Sequence, residues 1–208
     1  MSKHRRTFFI LVPLLVFADQ LTKILVRSHV QKRSPRRRWM SVSEAWESIG
    51  EGKQTESISV IDNFFTICHT ENTGAAFGLL SGHEHRMLFF TVVTLLAFVM
   101  ILYYFRQLRP DDGLLAISLS TIFAGAAGNF IDRLLFQKVT DFLLFYIPRE
   151  TGLGQWLIDT VRTNQWPAFN IADMCINIGV GIFIWHVLFI EPKRKPPEDE
   201  ADSAARSG

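Results

Sequence analysis

The sequence predicts an all-α membrane core: four transmembrane helices with both termini cytoplasmic, plus a small extracytoplasmic β-sheet and a membrane-surface helix. Three observations carry that prediction. The 208 residues are 48% hydrophobic, with 18 Phe and a mean hydropathy of +0.16. The apolar residues are gathered into four long blocks instead of being dispersed as a soluble core requires, and ~20 apolar residues suffice to cross the hydrocarbon region as a helix. The basic clusters flank those blocks, which is the signature of membrane topology. A net charge of +2 is too small to argue for nucleic acid.

The first block covers residues 7–26 and follows Lys3-His4-Arg5-Arg6. Basic residues ahead of an apolar stretch also describe a secretory signal, but no small-x-small cleavage site follows, and Asp19 and Lys23 interrupt the far end. A retained helix is expected, bent by Pro13. The second block, residues 87–105, is continuously apolar. The third, residues 114–131, contains Ala124-Gly125-Ala126-Ala127-Gly128, and small residues let helices approach closely in lipid. The fourth spans residues 169–190 and is followed by Lys193-Arg194-Lys195. Basic residues before the first block, between the second and third, and after the fourth place all three regions on the cytoplasmic side. Lys32-Arg33-Ser34-Pro35-Arg36-Arg37-Arg38 falls in the first outer loop and runs against this pattern, within a loop near the length at which charge stops setting orientation.

The connecting regions carry weaker signals. Ile58-Ser59-Val60-Ile61 and Phe64-Phe65-Thr66-Ile67 are β-favouring clusters that suit a small sheet. Residues 154–166 place Trp156, Leu157, Ile158 and Val161 among polar residues, which suits a helix on the membrane surface with Trp156 and Trp166 at the headgroups. The tail from residue 191 onward is Pro-rich and charged and is expected to be disordered. Cys68 and Cys175 read as two structural thiols, with no disulfide and no zinc pattern. His83-Glu84-His85 lacks the metallopeptidase spacing, and phosphate-binding Gly loops are missing, so no metal and no cofactor are expected.

The chemistry is expected in the polar residues of the apolar blocks, where ionisable groups are costly and mark function. Asn170, Asp173 and Asn177 fall at i, i+3 and i+7 on one helix face, and Asn129, Asp132 and Arg133 mark the outer end of the third block. Asp19 and Lys23 are i, i+4 and read most simply as an internal ion pair; Asp132 beside Arg133 reads as a scaffold pair. Asp159, Glu150, Asp62 and Glu71 read as solvated, and His186 as interfacial. Asp141 and Asp173 have no neighbouring cation in sequence and sit at the outer edges of two apolar runs. Two carboxylates at one depth can share a proton, one pKa being raised, and can then act as acid and base on a peptide bond.

Five motifs, in order, resemble lipoprotein signal peptidase (signal peptidase II), a family of bacterial membrane aspartyl proteases. They are Asp19-Gln20-Leu21-Thr22-Lys23, Glu71-Asn72-Thr73-Gly74-Ala75-Ala76-Phe77-Gly78, Gly128-Asn129-Phe130-Ile131-Asp132-Arg133, Val139-Thr140-Asp141-Phe142 and Phe169-Asn170-Ile171-Ala172-Asp173. The resemblance covers residues 8–190. It implies Asp141 and Asp173 as the catalytic dyad, Asn72, Asn129, Arg133 and Asn170 as substrate-site residues, and Asp19, Lys23 and Asp132 as structural support. It also implies one integral membrane peptidase domain over residues 1–190 and a disordered tail over 191–208. The family cleaves prolipoproteins before a diacylglyceryl-modified cysteine at the outer face of the cytoplasmic (inner) membrane, without metal or organic cofactor. Lipidated precursors, membrane lipids and globomycin-type inhibitors are the partners it implies, with the protein acting as a monomer. Residues 31–55 read as an outer-loop insertion, and residues 148–165 as a longer connection than the family needs. Two readings from other classes compete. One is a proton-coupled transporter with Asp19, Asp132 and Asp173 as a relay, although these acids cluster toward one side. The other is a non-catalytic scaffold, which leaves Asp141 and Asp173 unexplained.

Overall fold

A computed structural model describes residues 3–32, 40–73 and 86–191. The basic run beyond Lys32, residues 74–78 of the second motif, the His83/His85 pair and the tail beyond Glu191 lie outside the described residues. Among the described residues, four helices are long and apolar enough to cross a membrane: α1 (Lys3–His29), α3 (Arg86–Arg106), α4 (Gly113–Phe136) and α6 (Ile171–Trp185), the last continued by a π-helical turn over His186–Ile190. Each corresponds to one apolar block. All but α6 extend past their blocks at both ends, by one to five residues, because polar flanks at an interface can stay helical. Helix α1 runs on through Pro13.

Helix α4 is the packing centre, set chiefly against α6 and α1. Its small residues are the reason. A Cβ at Gly125 would run into the Ala172 carbonyl and the Ile176 side chain, and one at Gly128 would lie 2.5 Å from Asp19 Oδ2. Such approach lets polar contacts form between helices that the hydrophobic effect cannot drive together in lipid. Ser118 Oγ, for example, donates to Gly179 O at 2.8 Å. Phe8, Phe105, Phe123 and Phe98 form a chain of rings with centroids 4.5–5.1 Å apart that links α1, α3 and α4. Helix α3 packs on α4 and leaves Leu96, Val99 and Met100 exposed, an apolar face suited to lipid.

A four-stranded mixed sheet caps one end, in the order β1-β2-β3-β4. Strand β1 (Met40–Ser41) pairs parallel with β2 (Ile58–Ile61); β2, β3 (Phe65–Asn72) and β4 (Val139–Phe145) are antiparallel. The two β-favouring clusters are thus β2 and the start of β3. Strand β4, which holds Asp141, carries no strand signal in the sequence: it is covered on both faces, so the alternation that betrays a strand is absent. Between β1 and β2, within the expected insertion, lies an unforeseen helix, α2 (Val42–Gly50). Ser41 caps it, the Ser41 N–H donating to Glu44 Oε2 at 2.7 Å in a capping box. Helix α5 (Gly152–Val161) falls in the segment expected to lie on the membrane surface, and Trp156 and Trp166 are both exposed.

Three expectations need correcting. His186 is buried rather than interfacial, 3.8 Å from Asp112. Glu71 is not simply solvated but held by Lys32 at 2.8 Å and Lys138 at 2.9 Å. Partial burial works to raise its pKa, but the two ammonium groups outweigh this and hold it below the usual value. Asp132 takes partners other than Arg133, as described below. At the end opposite the sheet, His4 Nε2 donates to the Arg109 carbonyl at 2.8 Å, so the start of α1, the α3–α4 connection and the end of α6 meet there.

Candidate active site

The site begins with a buried ammonium. Lys23 is fully buried in α1 and contacts Asp19 Oδ2 at 2.9 Å, Asn129 Oδ1 at 3.0 Å and Asp132 Oδ2 at 3.4 Å. Its three protons thus meet three oxygens, the condition under which an ammonium is tolerated away from water. The i, i+4 spacing of Asp19 and Lys23 gave the first contact; the other two come from α4. Asp19 Oδ1 accepts the Ala172 N–H at 2.9 Å. One carboxylate therefore neutralises Lys23 and satisfies a free N–H in the first turn of α6, where negative charge is favoured.

Asp132, on α4, accepts the Thr140 N–H at 3.0 Å and pairs with Arg27 at 3.3 Å besides Lys23. It therefore fixes the start of β4 to the helix bundle. The sequence missed Arg27, which bonds Asp132 and Thr140 Oγ1 and lies 4.3 Å from the centre of the Phe136 ring. Nothing in a single sequence pairs a cation of one helix with an acid over a hundred residues away. Gln20, likewise missed as a contact, donates to Asp19 and to the Gly128 carbonyl.

With Asp132 so engaged, Arg133 is left to the site. Among the described residues its guanidinium has no hydrogen-bond partner; it lies 4.8 Å over the Phe90 ring and acts through space on Asp173, Asp141 and Asp132.

Asp141 and Asp173 are brought together by backbone pairing. The N–H groups of Phe142 and Leu143 donate to the Phe169 carbonyl at 3.0 and 2.8 Å, and the Phe169 N–H returns to Leu143 at 3.1 Å. This places β4 against the residue that precedes the α6 cap. Asn170 is that cap. Its Oδ1 accepts the Asp173 N–H at 3.0 Å while Asp173 Oδ2 accepts the Asn170 N–H at 3.2 Å, a reciprocal capping box. The i, i+3 spacing read as a shared face is thus also a capping relation, and it fixes the Asp173 carboxylate.

Asn170 also joins the two acids. Its Nδ2 donates to Asp141 Oδ1 at 2.7 Å and to Asn129 Oδ1 at 3.1 Å, and Asn129 Nδ2 donates to Asp173 Oδ1 at 2.7 Å. Asn72, at the end of β3, donates to Asp141 Oδ2 at 3.1 Å. No hydrogen bond among the described residues joins the two carboxylates directly. Asn170 is fully buried and Asp141 almost so, whereas Asp173 is partly open. Burial, and then the negative charge of Asp173, push the Asp141 pKa up to about 7, against the opposing bonds from Asn72 and Asn170. A proton held near neutrality on one acid, next to a second acid with outside access, is equipment for general acid–base catalysis. The residues assigned to the site converge here: Asn72, Asn129, Arg133, Asp141, Asn170 and Asp173, with Asp19, Lys23 and Asp132 beneath them; Asn177, read on the same helix face, is exposed and takes no part.

The chain is similar to known proteins. A family model described as signal peptidase (SPase) II matches residues 11–189. The lipoprotein signal peptidase of Syntrophus aciditrophicus is 40% identical over 182 residues, covering 86% of this chain and 91% of that protein. Its counterpart in Geobacter metallireducens is 37% identical over 182 residues, covering 88% and 90%. A bacterial membrane enzyme solved at 2.3 Å superposes with a TM-score of 0.63 at 28% identity, covering 92% of this chain and 93% of that one.

Proposed function

The chain belongs to the signal peptidase II family, and from that premise we propose that it is an aspartic endopeptidase that removes signal peptides from diacylglyceryl-modified prolipoproteins. Cleavage falls on the amino side of the lipidated cysteine. The protein is a multi-pass protein of the bacterial inner membrane, with both termini cytoplasmic and the sheet end at the outer face. Exposed Trp156 and Trp166 around α5 support a headgroup-level position for that end. A substrate anchored by its lipid presents its scissile bond at the same level.

In the proposed cycle Asp141 carries the proton and Asp173 acts as the base. Asp173, fixed by the Asn129 amide and the Asn170 N–H, takes a proton from water as the water oxygen bonds to the carbonyl carbon. Asp141 gives its proton to the carbonyl oxygen, which stabilises the tetrahedral intermediate. On collapse the C–N bond breaks. Asp173 passes its proton to the cysteine amine, and the hydroxyl of the intermediate returns one to Asp141, restoring both acids. Arg133, with donors free among the described residues, holds substrate carbonyls, a task suited to its fork of N–H groups. Asn72 and Asn170 orient Asp141 from its two oxygens. Globomycin-type peptides are expected to compete at this position.

The observation that carries this reading is the bridge through Asn170, which ties both carboxyl groups into one hydrogen-bond network. The test is cleavage of a lipidated precursor by purified Asp141→Asn and Asp173→Asn proteins. Each is expected to lose turnover while keeping its thermal transition. Near wild-type processing by either would end the assignment.

A further inference from the structure

We infer that the end of the bundle opposite the sheet carries a built site for the phosphate headgroup of an anionic phospholipid. A cavity of 550 Å³ opens there, lined by the basic side chains Lys3, His4, Arg5 and Arg106 and by the apolar Phe105 and Leu108. The sign of its charge and its mixture of cations with hydrocarbon match a phosphodiester that remains attached to acyl chains. Tyr103 and Tyr104, immediately before this rim, are 62% and 54% exposed. Exposed tyrosines at the end of a spanning helix mark the headgroup layer, so the cavity opens at the depth of lipid phosphates.

The second observation concerns His4. It is 8% exposed, and its Nε2 donates to the Arg109 carbonyl at 2.8 Å, which fixes the proton on that nitrogen. Its Nδ1 is buried and, among the described residues, has no hydrogen-bond partner. A buried polar atom without a partner calls for an explanation. An anionic headgroup provides one, because its phosphate meets Lys3, Arg5 and Arg106 while a headgroup hydroxyl, such as the glycerol of phosphatidylglycerol, donates to Nδ1 and Nε2 keeps the Arg109 bond. The basic residues of positive-inside topology need only bulk attraction to the leaflet, which leaves the buried nitrogen unexplained. Here they line one cavity together with His4. This inference is independent of the peptidase reading.

The test measures lipid retained by the purified full-length protein, by native mass spectrometry, after exposure to equal amounts of phosphatidylglycerol and phosphatidylcholine. Wild type is expected to prefer the anionic lipid. Arg106→Gln and Lys3→Gln should each lower that preference about fivefold, corresponding to ~1 kcal/mol per basic group near the surface. His4→Gln should lower it as well, although diffuse surface charge would barely change. Arg149→Gln, in the connection after β4, should leave it intact. Equal retention of the two lipids by wild type, or an undiminished preference in both His4→Gln and Arg106→Gln, would overturn the site. Millimolar inorganic phosphate displacing the lipid completely would reassign the cavity to a free anion. Binding that appears only after neutralising Glu198, Asp199, Glu200 and Asp202 would assign it to the chain's own acidic segment, and would equally overturn a lipid site. Thermal transitions of the exposed-end variants near wild type establish that each is folded.

Discussion

Replacing Lys23 with Met tests whether the charge beneath the site organises it. The side chains are of similar volume, so the change removes the charge and its donors while largely preserving packing. Three contacts disappear: 2.9 Å to Asp19, 3.0 Å to Asn129 and 3.4 Å to Asp132. The losses are unequal. Asn129 Oδ1 still accepts from Asn170, and Asp132 keeps Arg27 and the Thr140 N–H, but Asp19 keeps only neutral donors from Ala172 and Gln20. Removing one partner of a buried pair costs about 3–5 kcal/mol because the other charge is left uncompensated. At roughly 2–4 °C per kcal/mol for a chain of this size, the thermal transition should fall by roughly 6–20 °C. The assay is thermal unfolding of the purified protein in detergent, with precursor cleavage measured below the new transition. The double variant Asp19→Asn/Lys23→Met should be more stable than Lys23→Met, because the stranded carboxylate has gone. A loss below about 1 kcal/mol in the single variant would place the pair among ordinary surface bridges and refute the reasoning. So would strictly additive effects in the double variant.

Two further outcomes follow from the same geometry. Gly128→Ala places a methyl group 2.5 Å from Asp19 Oδ2, and should cost about 1–3 kcal/mol and slow cleavage, whereas an unchanged thermal transition would show that α1 and α4 are not closely engaged. The second concerns pH: kcat/KM should fall about tenfold per unit as pH rises beyond about 7, because the competent form has Asp141 protonated. The folded pKa of that group is raised above its ordinary 3.8, so its contribution to stability is complete below that value and is lost as pH rises through about 7. A rate profile that stays level to pH 9 would remove Asp141 as the acid.

The sequence disclosed most where chemistry and position coincide locally. The four spans followed from block length alone. The Asp19–Lys23 contact followed from helical spacing, and the Asn170/Asp173 relation lay within one turn. Ser41 three residues before Glu44 is a capping-box signal for α2, but it was submerged in a region read only as an insertion. Elements closed by distant partners stayed hidden. Strand β4 is buried on both faces and has no alternation to detect. Arg27 looks like one more flanking cation until α4 and β4 fold beside it. The pairing of Asp132 with Lys23 and Arg27, not with adjacent Arg133, depends on which way neighbouring α4 residues point. Consecutive helical residues diverge by roughly 100°, so adjacency in sequence is weak evidence for an ion pair.

The central claim is that Asp141 holds a proton at neutral pH beside Asp173. Infrared titration of the intact protein, differenced against Asp141→Asn, reads that proton from the carbonyl stretch of the neutral acid. The predicted result is a neutral-acid band, absent from the variant, that bleaches as pH rises through about 7. A wild-type carboxylate already ionised at pH 5, with no band lost in the variant, would contradict the account.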